Sequence, residues 1–166
     1  MVNVHEFFLE SNAIEGVYDD SAVEESMRAY NNLVVERELT HKTLKETHEI
    51  LLEERQPQIA GEYRNVHVRI GNDIPPSPGK VEGLMDKLLS QKPETHIDAL
   101  EWHIDFEKIH PFQDGNGRIG RLIYLWHMCD IHDHALIFYE KNKDTYYKLF
   151  GDDPDVVDIF VELRDS

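Results

Sequence analysis

The stretch His110-Pro-Phe-Gln-Asp-Gly-Asn-Gly-Arg-Ile-Gly-Arg121 holds more potential chemistry than any other part of this sequence. His110 is the one group in it that can accept a proton near neutral pH. Asp114 offers a hard oxygen of the kind taken by Mg²⁺, which binds one or two protein carboxylates and completes its shell with phosphates and water. Pro111 discourages continuation of the preceding helix, and Gly115 and Gly117 permit backbone conformations that other residues resist. A glycine-rich turn feeding a helix aims free N–H groups at one point with the helix dipole behind them, which is an anion site. Arg118 and Arg121 lie three apart on the opening turn of that helix and can face one ligand. Taken singly, Gly-Asn-Gly is a turn, His110 a helix-end histidine and the arginines a solvated face. Their joint occurrence describes phosphoryl or nucleotidyl transfer.

Three other motifs pass through the same residues and fail on context. Gly115-Asn-Gly117-Arg-Ile-Gly120 fits the dinucleotide fingerprint, with Glu140 placed where that fold wants an acid. No buried strand precedes it, however, and no strand–helix alternation supplies a parallel sheet. A calcium loop starting at Asp114 would need a bidentate Glu where Leu125 stands. The Gly-Lys-Ser/Thr of a phosphate-binding P-loop is absent. His127, His132 and His134, with His103, match no metal-binding spacing, and they read as a polar turn after a helix rather than a zinc hydrolase.

The elements that must position this loop are mostly helical. Residues 5–17, with Phe7, Phe8, Leu9, Ile14 and Val17, predict a short helix or helical turn ending at Gly16. A capping box, Ser21-Ala-Val-Glu24, opens a helix to about Arg37 with Val23, Met27, Tyr30 and Val34 on one stripe. Thr40 opens another, with Leu44, His48, Leu51 and Leu52 on one face, stopped near Gln56-Pro57. Val66, Val68 and Ile70 then alternate with polar residues before Gly71-Asn72-Asp73, which predicts a strand or small hairpin. Helical spacing resumes over 81–89, 97–109, 119–126, 143–150 and 155–164, with an extended segment at 135–139. A lone hairpin is marginally stable by itself, so this one must pack on the helices or be mobile and useful.

With 166 residues the chain fits one domain, and 40% hydrophobic residues suit a globular one. The formal charge of −16 disfavours binding nucleic acid over a broad face, while a local pocket can still take a small phosphorylated ligand. The single Cys129 rules out an intrachain disulfide and fits a reducing compartment. The N-terminus lacks the features of a secretory signal, and no apolar run reaches the ~20 residues of a membrane span. The expectation is a soluble cytoplasmic domain, with homo-oligomerisation left open.

His110–Arg121 resembles, position for position, the signature H-P-F-x-[D/E]-G-N-G-R-x-x-R of the Fic family. Gly61-Glu-Tyr-Arg64, Val68–Gly71 and Pro75-Pro76 resemble that family's segment upstream of the motif, and Asp144-Thr-Tyr-Tyr147 its downstream helix. Ser11-Asn-Ala-Ile-Glu15-Gly16 is similar to the inhibitory motif [S/T]-x-x-x-E-[G/N] of some members. The resemblance spans roughly residues 11–150.

It implies an all-α Fic fold: a compact helical bundle around a motif loop between two central helices, with one small β-hairpin as flap. The expected domain is 1–166, with an inhibitory segment at 1–20, a flap region at 61–76 and the motif at 110–121. The implied activity is AMP transfer from Mg-ATP to a Ser, Thr or Tyr hydroxyl of a target protein. His110 would be the base and Asp114 the Mg²⁺ carboxylate. Gly115, Asn116, Gly117 and Arg118 would hold the α- and β-phosphates and Arg121 the γ-phosphate, with Tyr146 and Tyr147 also at the nucleotide. Val68, Arg69 and Ile70 would dock target backbone as an added strand. Ser11, Glu15 and Gly16 would be regulatory. A Glu15 carboxylate on Arg121 takes the γ-phosphate's place and leaves the α-phosphate misplaced, and a misplacement of about 1 Å can cost ~100-fold. The chain reads Gly151-Asp-Asp-Pro154 where relatives often carry an adenine-contacting asparagine, which leaves the choice of base open. AMP removal, transfer of another phosphorylated group and a non-catalytic nucleotide-binding regulator are the competing readings.

Overall fold

Capping side chains set the starts of the helices that begin at Val4, His41, His96 and Val156 in the computed structural model, which describes residues 2–166. Met1, the first residue of the expected 1–166 domain and 1–20 segment, lies outside the described residues. Helix α1 (Val4–Ile14) starts with the Asn3 side chain accepting the Glu6 N–H. Helices α3 (His41–Leu52) and α5 (His96–Ile109) each start with a capping box, Thr40 with Thr43 and Thr95 with Asp98. Helix α2 (Asp20–Glu36) differs from the sequence expectation. Its N-cap is Asp19, so Ser21 lies inside the first turn and forms no box with Glu24. The Ser21 hydroxyl instead donates to the Asp19 carboxylate, which also accepts Arg55 at 2.5 Å. Arg55 bonds the buried Glu25 as well, at 3.0 Å, and so clamps the start of α2 to the turn after α3. Pro78 opens α4 (Pro78–Leu89). The remaining helices are α6 (Asn116–Ile131), α7 (Lys143–Tyr147) and α8 (Val156–Arg164), with 3₁₀ turns at 140–142 and 148–150.

α6 runs through the centre. Ile119, Leu122, Ile123, Tyr124, Leu125 and Met128 are all buried on it, so it is apolar around most of its circumference, as a core helix must be. α5 packs along α6, α1 and α2 cover it from the other side, α3 packs on α2, and α4 and α8 lie against α5. The motif loop spans the gap between α5 and α6. Its place was legible in the sequence because both flanking helices were.

The expected hairpin is reduced to a tight turn. Among the described residues there is no strand, only an isolated antiparallel pair between Ile70 and Asp73, with N–H···O distances of 3.0 and 2.8 Å. Val66 and Ile70 are 40% and 38% exposed, so the alternating pattern does not bury one face. The Val66 and Pro76 carbonyls accept hydrogen bonds from the Arg64 guanidinium instead of a ladder partner. His132 and His134 lie exposed just after α6, as a polar turn would place them, but the other two histidines of that reading do not. His103 and His127 are buried in the core, where His103 Nε2 meets the Tyr146 hydroxyl at 2.7 Å and His127 packs edge-on against Trp102. Among the described residues no group of three or more His, Cys, Asp or Glu is arranged to hold a metal. No helix among them is long and apolar enough to cross a membrane.

Candidate functional site

An open cleft of about 1270 Å³ gathers Glu15, Ile70, His110, Asp114, Gly115, Asn116, Gly117, Arg118, Arg121, Tyr146 and Tyr147 along its walls. Of the residues singled out from sequence, Ser11, Gly16, Val68 and Arg69 are not among its lining.

His110 is the C-cap of α5, with its N–H on the Phe106 carbonyl at 2.9 Å and a left-handed backbone at φ 52°, ψ 62°. That conformation costs a non-glycine residue about 1–2 kcal/mol, and it turns the residue out of the helix toward the cleft. Arg64 holds it there: its Nε donates to the His110 carbonyl at 2.6 Å and its backbone N–H to the Pro111 carbonyl at 2.9 Å. His110 Nδ1 lies 3.3 Å from the Glu107 carbonyl, which can only accept, so Nδ1 carries the hydrogen and Nε2 is the ring's proton acceptor. Burial, helped by the Arg64 charge, lowers the imidazole's pKa below its ordinary value and keeps the ring neutral near pH 7.

Asp114 is fixed on every side. Its Oδ1 accepts the Gly115 N–H at 2.8 Å, its Oδ2 accepts Gln56 Nε2 at 2.6 Å, and its carbonyl accepts His48 Nε2 at 2.9 Å. Burial pushes the Asp114 carboxyl up, but Gln56, the Gly115 N–H and the Arg118 charge outweigh it and lower the pKa, so it stays ionised. Each carboxylate oxygen keeps a lone pair for a cation, and one hard carboxylate beside an anion cradle is the donor set that Mg²⁺ accepts when phosphates complete its shell. His48 accepts the Gly61 N–H on Nδ1, stacks on Phe112 at 3.8 Å and is lowered to about 4 by burial. The Asn116 side chain, expected at the phosphates, ties the loop to itself: Oδ1 accepts the Phe112 N–H and Nδ2 donates to the Phe112 carbonyl. Its backbone N–H lies on the first turn of α6.

Gly115 caps α6 at φ 83°, where a side chain would be strained. At Gly117 a Cβ would collide with the Glu15 carboxylate and lie 3.0 Å from Arg121, so the glycine leaves a cradle that an acid now fills. Glu15 reaches it because α1 ends there in a Schellman turn: Val17 N–H bonds the Asn12 carbonyl and Gly16 N–H the Ala13 carbonyl, with Gly16 at φ 73°. Both arginines are buried, not a solvated face. Burial lowers the pKa of Arg118. Arg121 is 1% exposed. Its Nε donates to Ser11 Oγ at 2.7 Å, and its two amino groups to the Ser11 carbonyl at 2.9 Å, Glu15 at 2.8 Å and the Tyr146 hydroxyl at 3.2 Å. Burial works against the guanidinium's charge, but Tyr146 and Glu15 outweigh it and the pKa is raised.

The tyrosine pair splits in role. Tyr146 is buried under Arg121, its hydroxyl between Arg121 and His103, and forms the floor of the cleft. Tyr147 is 47% exposed on the cleft wall. Sequence reasoning missed Arg64, Gln56, His103 and Glu107, and read His48 only as part of an apolar face. A histidine on an otherwise apolar stripe was the one signal available. Arg64, Gln56 and His103 act through contacts between residues far apart in the chain, whereas the Glu107 carbonyl meets His110 within one helical turn.

The Fic/DOC family model matches residues 38–128. "Protein adenylyltransferase Fic" of Drosophila erecta is 35% identical over 123 residues, which cover 70% of this chain and 25% of that protein. The Nematostella vectensis protein of the same name is 32% identical over 125 residues, covering 69% and 28%. The chain thus spans about a quarter of the length of these relatives. Among solved structures, a Fic family protein from Desulfovibrio desulfuricans G20 superposes with a TM-score of 0.75 at 23% identity, covering 98% of this chain and 62% of that one. A Fic domain containing signaling protein from Bacteroides thetaiotaomicron gives 0.70 at 20% identity, covering 98% and 81%.

Proposed function

The chain belongs to the Fic/DOC family, and from that premise we propose that it is a protein adenylyltransferase held in an inhibited state. The relatives' name supplies the activity. What supports it in this molecule is one arrangement: a neutral His110 beside a glycine cradle at the start of α6, with the Glu15 carboxylate occupying that cradle. A site that takes a carboxylate between Gly117 and Arg121 is built for an anion.

In the proposed reaction a Ser, Thr or Tyr hydroxyl of a target protein gives its proton to His110 Nε2 as its oxygen attacks the α-phosphorus of ATP. The P–O bond to pyrophosphate breaks, and AMP stays on the target. First-turn N–H groups of α6 and Arg118 orient the α- and β-phosphates. Arg121 takes the γ-phosphate once Glu15 leaves. Asp114, pre-set by Gln56 and Gly115, would hold Mg²⁺, which neutralises phosphate charge and orients the leaving group. Tyr147 offers an aromatic face at the cleft wall to the base. Residues 65–76, with Val68, Arg69 and Ile70, present exposed backbone on which a target segment adds as a strand. The helices share one core, which supports reading the chain as a single catalytic domain. While Glu15 holds Arg121, ATP seats with its α-phosphate out of line.

Parallel incubations of a Glu15→Ala variant with α-labelled and γ-labelled ATP test the reading. Label on protein from the α-phosphate alone is expected. Label from the γ-phosphate would establish phosphate transfer instead. No protein label despite bound ATP would favour AMP removal.

A further inference from the structure

Arg64 is 4% exposed, yet among the described residues no carboxylate lies within ion-pair distance of it. Its guanidinium donates to four neutral carbonyls: His110 at 2.6 Å, Ile109 at 3.1 Å, Val66 at 3.0 Å and Pro76 at 2.6 Å. Its backbone N–H adds the Pro111 carbonyl at 2.9 Å. A buried charge without a counter-ion is costly, and burial lowers its pKa accordingly. An apolar side chain would fill the volume more cheaply. What it lacks is five N–H donors in one rigid plane, able to bond several separate backbone segments at once.

The segments joined are informative. Ile109 and His110 are the last carbonyls of α5, where a cation also complements the helix dipole. Val66 and Pro76 are the two ends of the segment that carries the proposed target-docking backbone. Between those ends, residues 67 and 69–74 are exposed, Pro75 is buried, and the Ile70–Asp73 pair is internal to the segment. The bonds from Arg64 therefore fasten both ends of an otherwise exposed arch to the backbone that holds His110 in its left-handed conformation.

We propose that Arg64 is a positioning residue that locks residues 65–76 to the His110 backbone, so that a chain docked on that arch arrives in register with the His110 imidazole. The inference rests on the adenylyltransferase reading. It goes beyond it by giving one buried side chain the coupling between target docking and the base. Arg64 itself lies behind the reacting groups and is absent from the cleft lining, so ATP binding should be insensitive to it.

The test uses the full chain with Glu15→Ala, to which Arg64→Met or Arg64→Lys is added. Hydrogen exchange is measured over residues 65–76 and over α6, together with self-transfer of AMP and the KM for Mg-ATP. With Arg64→Met, exchange in 65–76 should rise at least tenfold while α6 stays protected. The transfer rate should fall about 30-fold or more, with the KM for ATP within twofold. Arg64→Lys, which keeps the charge but loses the fork, should lie between the two. Unchanged exchange in 65–76, or a KM loss as large as the rate loss, overturns the proposal. If Arg64→Met does not fold, the lysine variant decides: the same split at smaller size supports the lock, and behaviour equal to Arg64 overturns it. Absence of transfer even with Arg64 intact would refute the adenylyltransferase reading, while the exchange data would still judge the lock.

Discussion

Replacing Glu15 by alanine should weaken the apo protein and strengthen its response to Mg-ATP. α1 ends at Glu15 with φ −90° and ψ 7°, a conformation alanine accepts, so the change removes the carboxylate and leaves the turn intact. The 2.8 Å bond to Arg121 is charge-assisted, and such bonds contribute about 1.5–3 kcal/mol. Glu15 is 38% exposed, which screens the pair, and Arg121 keeps Ser11 Oγ, the Ser11 carbonyl and Tyr146 as acceptors. The net loss should be about 1–2 kcal/mol, or roughly 2–8 °C in Tm at about 2–4 °C per kcal/mol for a chain of this size. Mg-ATP reverses the order. A ligand at 100 times its Kd stabilises by about 2.7 kcal/mol, and the variant gains this in full, whereas wild type, with Glu15 on Arg121, binds ATP without the γ-phosphate contact and gains less. Differential scanning calorimetry of both proteins with and without Mg-ATP measures the crossing. A variant that loses apo stability but gains no more from Mg-ATP than wild type would refute the reasoning, because Glu15 would then be structural only.

In the Glu15→Ala protein the acid limb of the transfer pH profile should fall below the ordinary histidine value of about 6.5, because burial lowers the His110 pKa; a rate that still rises above pH 7 would contradict that assignment. His48, lowered to about 4, contributes stability that is complete above its unfolded value of about 6.5 and is lost as pH falls toward the folded one, at up to about 1.4 kcal/mol per pH unit. Urea midpoints measured from pH 7 to 5 should therefore flatten in His48→Gln relative to wild type. Tyr146→Phe removes the hydroxyl that joins Arg121 to His103 and should cost about 1–2 kcal/mol of stability, read in urea. Tyr147→Ala should leave stability within about 0.5 kcal/mol but weaken Mg-ATP binding several-fold in the Glu15→Ala background, read by calorimetry.

The sequence made the helices legible because their apolar spacings are regular and Thr40 starts its helix as a cap should. It made the motif loop legible because proton acceptor, carboxylate, glycines and arginines crowd into one short run. Ser21 misled because its spacing to Glu24 is that of a box, while Asp19, two residues earlier, ends the extended backbone first. The hairpin misled because alternation over 66–70 is a statement about side chains. Strand pairing depends on backbone partners, and here Arg64 takes the Val66 carbonyl at one end. Tyr146 and Tyr147 look equivalent in sequence, and only the helical turn that buries one under Arg121 separates floor from wall. Arg64, Gln56 and His48 reach the loop from 46 to 66 residues away along the chain, so no local pattern could reveal them.

The most direct test of the central claim is intact-protein mass after incubation with Mg-ATP, on wild type, Glu15→Ala, and Glu15→Ala with His110→Ala. The expected result is an added AMP on the Glu15→Ala protein alone, with wild type held by its own Glu15 and the double variant lacking the base. Equal AMP gain by wild type would contradict the inhibitory role of Glu15, and AMP gain by the double variant would contradict His110 as the base.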